Sequence, residues 1–317
     1  MSCLPFHAIG IDVGGTKIAA GLVSFPEGEI FSRQIVPTSP HRGGQAVLDD
    51  AVRLAEVLAK TANAQGMILG GIGLGLCELI DPDGHIFSSH SIQLQEQSIV
   101  ERLSHFAPIV LEADVRSAAL AEAMFGAGRS LRIFLYVTIG TGISSCLMIE
   151  GRPFLGAHGA TGTMASGSIE TACERCGHVT RGTLEEVASG PALVARFHQH
   201  RPGMARTGQE VLAAAGAGDA QAFEVVHSAG RAVGTMVGFL VNVLDPEAVI
   251  VGGGVGLAEG PYWESLVQSA RRVIYSDHHR TIPVVHALTG ENAGLVGAAA
   301  TVWKRFAPGH SPAQVHV

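Results

Sequence analysis

The chain has 317 residues and a formal net charge of −7 at pH 7, with 47% hydrophobic and 15% charged residues. This length and apolar content predict two packed domains and exclude a disordered or fibrous protein. The acidic balance argues against a nucleic-acid surface, which needs clustered Lys and Arg. No apolar run approaches the roughly 20 residues of a membrane-spanning helix. The N-terminus has no signal-peptide pattern, so we expect a cytoplasmic protein with no nucleic-acid or membrane partner.

The first part of the chain alternates between strand and helix patterns. Residues 7–25 predict two strands joined by a glycine turn, and residues 46–66 have the apolar spacing of an amphipathic helix. Buried strands are predicted at 67–76 and 109–115, and a helix at 117–128 leaves the second of them. This alternation is typical of an α/β domain.

The N-terminal pattern returns at residues 133–151, where two β-rich runs again flank a glycine turn. The elements predicted after it are helices at 184–200, 229–244, 261–274 and 293–306 and a strand within 248–255. The repeated unit predicts two related domains. We assign residues 1–122 to the first domain, 123–300 to a larger second domain, and 301–317 to a helix end and tail that packs back on the first.

The first glycine turn follows a strand that ends in an aspartate, Asp12. The turn consists of Gly14, Gly15, Thr16 and Lys17. Two glycines let the backbone approach a ligand without a Cβ in the way, and backbone N–H groups in such a turn can bind phosphate oxygens. The Asp12 carboxylate is suited to hold Mg²⁺ beside those phosphates. An ordinary hairpin turn with an aspartate at its edge is the alternative.

Two later glycine turns have the same character. They consist of Gly140, Thr141 and Gly142, and of Gly252, Gly253 and Gly254 at the end of a strand. Each is a weak signal when taken alone. The third turn fits a backbone that approaches a purine or ribose, or a strand end against which a helix packs. The order and spacing of all three favour a nucleotide site.

The motifs IDVGGTK, EADVRSAALAE, IGTGISS, GAHGATG, LEEVASG, DPEAVIVGGGV and NAGLVGAA occur in this order between Ile9 and Ala300. In order and spacing the chain resembles the ROK family of sugar kinases and repressors. The resemblance implies an α/β, two-domain actin-like ATPase (ribonuclease H-like) fold with an interdomain cleft. It also implies ATP and Mg²⁺ as cofactors, phosphate transfer to a sugar hydroxyl, and a homodimer or homotetramer.

The repressor branch of the family carries a DNA-binding helix-turn-helix ahead of the first glycine turn. Only eleven residues precede Asp12 in this chain, so we expect a kinase rather than a transcription factor. A catalytically impaired sensor that binds sugar without phosphorylating it remains the second hypothesis.

The predicted strand IVLEADV contains Asp114, which belongs to the family-like motif EADVRSAALAE. By resemblance Asp114 is the catalytic base that accepts the proton of the sugar hydroxyl, a role that requires hydrogen-bond reach of that hydroxyl. The alternative is a helix N-cap, and both roles could coexist. Glu112 alternates to the other side of the strand and is a poorer candidate.

The sugar-binding positions depart from the family pattern. Ala113 replaces an asparagine that binds sugar hydroxyls, and Thr163 and Ser166 lie in the segment where the family has a sugar-binding glutamate and a zinc-binding histidine. Glu185 matches a later family glutamate. The polar candidates for substrate contact are His158, Thr163, Ser166 and Glu185. The changes remove much of the recognition expected for a plain hexose. Either other residues compensate, or the acceptor is an amino, deoxy or otherwise modified sugar or a cyclitol.

A zinc site is predicted around Cys173, Cys176 and His178, because a Cys-x-x-Cys turn is a common half of a zinc site. A fourth ligand is not evident in the sequence. A redox pair and a structural remnant of the family's zinc site are the alternatives. The remaining cysteines are scattered and do not form a disulfide framework.

Overall fold

The computed structural model describes residues 5–172, 177, 179–199 and 201–307. The chain divides into two units. Among the described residues, the first contains those up to Arg129, Gly151–Thr161 and those from Glu291 onward, and the second contains Ser130–Glu150 and those between Gly162 and Gly290. The division that we expected after residue 122 therefore falls after Arg129. The first unit also includes two segments from later in the chain, which the predicted boundaries did not assign to it.

The strands and helices alternate along much of the described chain. The strands are β1 (Phe6–Val13), β2 (Lys17–Phe25), β3 (Glu29–Pro37), β4 (Leu69–Leu76), β5 (Ile109–Ala113), β6 (Ile133–Ile139), β7 (Ile143–Ile149), β8 (Arg152–Pro153), β9 (Ser168–Ala172), β10 (Val179–Thr183), β11 (Ala248–Gly252) and β12 (Val284–His286). The α-helices are α1 (Gly44–Ala64), α2 (Glu96–Leu103), α3 (Asp114–Phe125), α4 (Leu184–Ala188), α5 (Gly190–His198), α6 (Gly208–Gly216), α7 (Ala220–Leu244), α8 (Pro261–Val273) and α9 (Ala293–Phe306). Short 3₁₀ helices lie at Pro40–Arg42, Met164–Ser166, His279–Thr281 and Gly290–Asn292.

The sheet of the first unit has the order β3-β2-β1-β4-β5. β1 runs antiparallel to β2 and parallel to β4, and β4 runs parallel to β5. Parallel strands end at one edge of a sheet, so the residues that follow β1, β4 and β5 come together there. In the register of β4 and β5, Leu76 lies opposite Ala113, which directly precedes Asp114.

Helix α9 packs closely on this sheet because glycines face it. A Cβ on Gly10 of β1 would overlap the carbonyl of Leu295, and one on Gly73 of β4 would overlap the carbonyl of Ala298. Gly297 of α9 lies in the same way against the backbone of α3. The last described helix therefore belongs to the first unit's core, although it comes from the opposite end of the chain.

The sheet of the second unit contains, in order, β12, β11, β6 and β7. β12, β11 and β6 are parallel, and β7 is antiparallel to β6. The long helix α7 packs against α8 through Gly230, Gly234 and Gly238, where any Cβ would crowd the backbone of α8. Residues four apart share one face of a helix, so these glycines form a continuous flat stripe. β9 and β10 form a separate antiparallel pair.

Two predicted elements differ from the structure at positions that matter for the site. The predicted strand 109–115 ends at Ala113, and Asp114 begins α3 instead. The single helix predicted at 184–200 is divided into α4 and α5, because the Ser189 side chain accepts a hydrogen bond from the Ala192 N–H and starts a new helix. β3, α2, α6 and the β9–β10 pair were not predicted; β3 is as long as its neighbours but largely exposed, so it lacks a continuous apolar run.

Candidate active site

The first glycine turn connects β1 to β2 and is anchored by a residue outside it. The Gly14 N–H donates to the Lys17 carbonyl at 3.1 Å. The Thr38 hydroxyl donates to the Gly14 carbonyl at 2.6 Å, and the Thr38 N–H donates to the Thr16 carbonyl at 3.0 Å. Thr38 is fully buried. The turn between Asp12 and Lys17 is therefore fixed by hydrogen bonds to Thr38, the residue directly after β3.

Asp12 lies in β1, one residue before the strand ends, and its carboxylate lies against Gly294 in the first turn of α9. A Cβ on Gly294 would overlap the Asp12 carboxylate, so a glycine is required there. The pKa of Asp12 is raised to about 7, mainly by burial and then by the negative charge of Asp114. The positive charge of Lys17 opposes this rise.

Asp114 is the first residue of α3, and Ala113 occupies the N-cap position. The Asp114 carboxylate accepts a hydrogen bond from the Val115 N–H at 2.6 Å. The N-cap alternative is therefore wrong, since an N-cap residue precedes the helix and binds the second or third N–H. Burial raises the pKa of Asp114 to about 6, although the Val115 N–H opposes the rise. The charge of Glu78 adds to it.

Two buried charged side chains next to Asp114 were not singled out from the sequence. Glu78 is 5% exposed and follows β4, and Arg116 is 4% exposed and lies in the first turn of α3. Full burial of Glu or Arg is rare unless the group is paired. Their types and positions in the sequence did not distinguish them from ordinary surface charges, because most of their partners lie ten or more residues away in the chain.

Arg116 connects the start of α3 to two other segments of the first unit. Its Nε donates to the Glu112 carboxylate at 2.6 Å, and one terminal nitrogen donates to the Ile80 carbonyl at 2.7 Å. The other donates to the Gly159 carbonyl at 3.4 Å. Gly159 has φ +73° and leaves no room for a Cβ beside Ile80. Arg116 thus ties the segment that carries the exposed His158 to the helix that begins at Asp114.

In the second unit, the turn of Gly140, Thr141 and Gly142 connects β6 to β7. The Gly140 N–H donates to the Gly142 carbonyl at 2.9 Å. Glu185 supports this turn, because its carboxylate accepts a hydrogen bond from the Ile143 N–H at 2.8 Å. The Glu185 carboxylate would lie 2.8 Å from a Cβ on Gly142.

Two glycines at the end of β11, Gly252 and Gly253, are closely packed inside the second unit. Gly253 has φ +81°, and a Cβ there would overlap the Ile139 carbonyl. A Cβ on Gly252 would overlap the Tyr136 hydroxyl. Both of these partners belong to β6, whereas the neighbour of Gly254 belongs to helix α6. A Cβ on Gly254 would lie 2.8 Å from the Gln209 side chain.

The remaining candidate substrate residues of the second unit lie in the segment that follows Thr161. Gly162 has φ +84°, and its carbonyl accepts a hydrogen bond from the Ser145 N–H of β7 at 3.0 Å. Thr163 and Ser166 are exposed, and the Ser166 hydroxyl donates to the Thr163 carbonyl at 2.9 Å. Their backbone is therefore anchored to the second sheet, with both side chains reaching solvent.

A sequence model of the ROK family matches residues 8–305 of the chain. The chain belongs to this family. It is 29% identical to a glucokinase of Streptomyces coelicolor over 92% of this chain and 96% of that protein. It is also 29% identical to an N-acetylmannosamine kinase of Pasteurella multocida, over 92% and 95% of the two chains.

A ROK family glucokinase from Streptomyces griseus, solved in complex with glucose and AMPPNP, has a similar structure. Its TM-score is 0.79 at 28% identity, with 93% of this chain and 98% of that chain covered. The expected α/β, actin-like ATPase fold is confirmed by this similarity and by the two sheets. Membership of the ROK family is confirmed as well.

The predicted zinc ligands Cys173, Cys176 and His178 lie outside the residues that the structure describes. Within the described part of the chain, no group of three or more His, Cys, Asp or Glu residues is arranged to hold a metal ion. Among the same residues, no helix is long and apolar enough to cross a membrane.

Asp12→Asn should make the ligand-free protein more stable at high pH. A carboxyl whose pKa is higher in the folded state costs stability as the pH rises through that pKa, here about 7. The amide does not ionise, so we expect a melting temperature about 2–5 °C above wild type at pH 8. The difference should be smaller at pH 5, where folded Asp12 is protonated. Scanning calorimetry at the two pH values tests this.

Asp83→Asn is a matched control, because Asp83 is exposed in the same unit. Its melting temperature should follow that of wild type at both pH values. An Asp12→Asn variant that is equally stable or less stable at pH 8 would contradict the raised pKa of Asp12.

Proposed function

We propose that this protein is an ATP-dependent kinase that transfers phosphate to a hydroxyl of a sugar or sugar-like substrate. The main support is the pair of partly buried carboxylates, Asp12 and Asp114, at the sheet edge where the parallel strands β1, β4 and β5 end. A glycine turn with its own anchor, Thr38, adjoins the first carboxylate. The glucokinase and N-acetylmannosamine kinase relatives support the same reaction class.

Asp114 is proposed as the general base. Phosphoryl transfer demands mainly positioning and charge stabilisation from the protein, and a base near the attacking hydroxyl accepts its proton. With a pKa of about 6, Asp114 is mostly ionised at pH 7 and yet basic enough to take that proton. The hydrogen bond from the Val115 N–H fixes one carboxylate oxygen and leaves the other available.

Asp12 fits Mg²⁺ chemically, because Mg²⁺ prefers carboxylate oxygens together with substrate phosphates. When bound, the ion would neutralise negative charge on the transferred phosphate. Its positive charge would also remove the cost of ionising Asp12, whose pKa is raised to about 7 without it. The proposed nucleotide contacts remain the three glycine turns. They comprise Gly14, Gly15, Thr16, Lys17, Gly140, Thr141, Gly142, Gly252, Gly253 and Gly254.

The acceptor is proposed to be a hexose, an amino sugar or another modified sugar. The relatives are kinases of glucose and of N-acetylmannosamine, which is why both classes belong in a screen. Ala113 offers no side-chain hydrogen bond, so recognition of the acceptor would fall on Asp114 and on polar groups such as His158, Thr163 and Glu185. Zinc bound by the Cys173 region and assembly into a homodimer or homotetramer stay as proposals. Metal analysis and sedimentation would test them.

ATP consumption measured across a panel of hexoses, amino sugars and cyclitols tests the proposed function. At least one member of the panel should be phosphorylated at a rate that depends on Mg²⁺. If the panel is silent while one of its members binds in calorimetry, the catalytically impaired sensor is the better description.

The rate should depend on pH in the way that an ionised Asp114 requires. Because the base must be deprotonated, kcat/KM should rise with pH through about 6 and level off above pH 7. A rate profile from pH 5 to 8 measures this. The residual kcat/KM of Asp114→Asn should not rise near pH 6. This control distinguishes titration of Asp114 from titration of ATP. A wild-type profile that is flat over this range would contradict the assignment.

A further inference from the structure

The Glu78 carboxylate binds one short segment of the chain with both of its oxygens. One oxygen accepts from the Ser91 and Ile92 N–H groups, each at 2.8 Å. The other accepts from the His90 N–H at 3.0 Å and from the Ser88 hydroxyl. An ionised carboxylate offers about four acceptor directions, so this buried group is fully satisfied.

These hydrogen bonds keep Glu78 charged. Burial by itself would raise its pKa, but the donors at Ile92, Ser88, Ser91 and His90 outweigh burial and hold the pKa below its ordinary value. Glu78 is therefore an anion throughout the neutral range. Hydrogen bonds to an ionised carboxylate are stronger than hydrogen bonds to a neutral acceptor, so Glu78 binds this segment tightly.

The end of β4 and Cys77 connect the segment that Glu78 binds to Asp114. Cys77 separates the end of β4 from Glu78, and Leu76 lies opposite Ala113, next to Asp114. Burial raises the pKa of the Cys77 thiol to about 12, and the charges of Asp114 and Glu78 add to the rise. The Ser91 hydroxyl is hydrogen-bonded to the same thiol. Cys77 is thus hydrogen-bonded to the segment 88–92 and lies close enough to Asp114 for the charge of that carboxylate to act on its thiol.

The segment 88–92 has an exposed side, although the Ser88 and Ser91 hydroxyls are hydrogen-bonded to Glu78 and Cys77. Ser89, His90 and Ser91 are exposed, whereas Ile92 is buried. Their backbone N–H groups at 90–92 point the opposite way, toward Glu78. Exposed polar groups on a fixed backbone are suited to contact a hydroxyl-rich molecule, since little conformational entropy remains to be lost on binding.

We propose that Glu78 is a positioning residue for the acceptor: by binding the backbone of residues 90–92 it fixes the segment 88–92 as a polar wall beside Asp114. This inference rests on the proposed kinase function. Glu78 does not touch the acceptor in this arrangement, and it acts through the residues that it holds. A residue that only stabilises the fold would not affect acceptor binding selectively.

Glu78→Gln is the decisive variant, because it keeps the shape of the side chain and turns an amide NH₂ toward backbone donors. We expect the KM for the acceptor to rise about tenfold or more while the KM for ATP stays within about twofold. Glu96→Gln is the matched control. Glu96 accepts from the Ile86 N–H at 3.0 Å and pairs with His85 in the same connection, so both KM values should remain near wild type.

Hydrogen exchange of the ligand-free proteins tests the anchoring separately. The amides of residues 90–92 should exchange at least about tenfold faster in Glu78→Gln than in wild type, with the strands of the sheet unchanged. If Glu78→Gln does not fold, Ser88→Ala removes one donor from the same carboxylate. That variant should raise the acceptor KM about twofold to threefold.

A folded Glu78→Gln protein with an unchanged acceptor KM would overturn the inference, and so would unchanged exchange at residues 90–92. An equal rise in both KM values would indicate a general loss of structure and would also overturn it. Wild-type protein that is silent on the whole acceptor panel would instead contradict the proposed function. The exchange rates at 90–92 would then still decide whether Glu78 anchors the segment.

Discussion

Asp114→Asn is expected to lower kcat about a thousandfold while ATP binding changes by less than about twofold. The substitution keeps the size of the side chain and an oxygen that can accept from the Val115 N–H. It removes only the ability to take a proton. Rapid-quench or coupled assays would give kcat, and calorimetry with a non-hydrolysable ATP analogue would give the affinity for the nucleotide.

The loss should not come from unfolding. The pKa of Asp114 is raised to about 6 in the folded protein, so the charged form costs stability above that pH. The asparagine variant should therefore melt no lower than wild type at pH 8. Asp83→Asn, at an exposed position, should keep the wild-type rate. An Asp114→Asn protein that retained more than about a tenth of the rate would show that another group accepts the proton.

Arg116→Met is expected to lower the free energy of unfolding by about 3–5 kcal/mol. The Arg116 side chain is 4% exposed, and its removal would leave the Glu112 carboxylate without a cationic partner, with the Ala113 N–H as its remaining donor. The carbonyls of Ile80 and Gly159 would lose a donor in the same step. Urea denaturation followed by circular dichroism would measure the change.

Arg132→Met is the matched control for this loss. Arg132 pairs with Glu150 at 3.0 Å, but both side chains are mostly exposed, so the same substitution should cost less than about 1 kcal/mol. The double variant Glu112→Leu with Arg116→Met should recover part of the stability, because no unpaired charge is left. A cost below about 1 kcal/mol for Arg116→Met would mean that the buried pair contributes little.

The sequence was sufficient to locate the glycine turns proposed to bind phosphate and the aspartate proposed as the base. A glycine turn after an apolar run is determined by residues that are close together in the chain, so it can be recognised from the sequence. The same patterns placed α1 and β4 within a few residues of their observed positions. The end of β5 was less well predicted, because IVLEADV continues an apolar alternation through Asp114 although the helix begins there.

Residues that act through distant partners could not be found in this way. Glu78 and Arg116 look like ordinary charged residues in the sequence. Their roles arise because Glu78 binds residues 88–92 and because Arg116 reaches Gly159, far along the chain. Gly252 and Gly253 remain proposed nucleotide contacts, and the structure adds a second requirement for glycine there, the close approach of β6, which the sequence did not indicate.

The sequence alone determined the family, the α/β class, and the candidates for base and phosphate binding, because these depend on short motifs and on local periodicity. Only the tertiary structure decided what surrounds Asp114. The parallel pairing of β4 with β5 brings Glu78 near Asp114, and the close packing of α9 brings Gly294 against Asp12. Burial at that edge shifts the pKa of both aspartates, and burial depends on the whole fold rather than on any local run of residues.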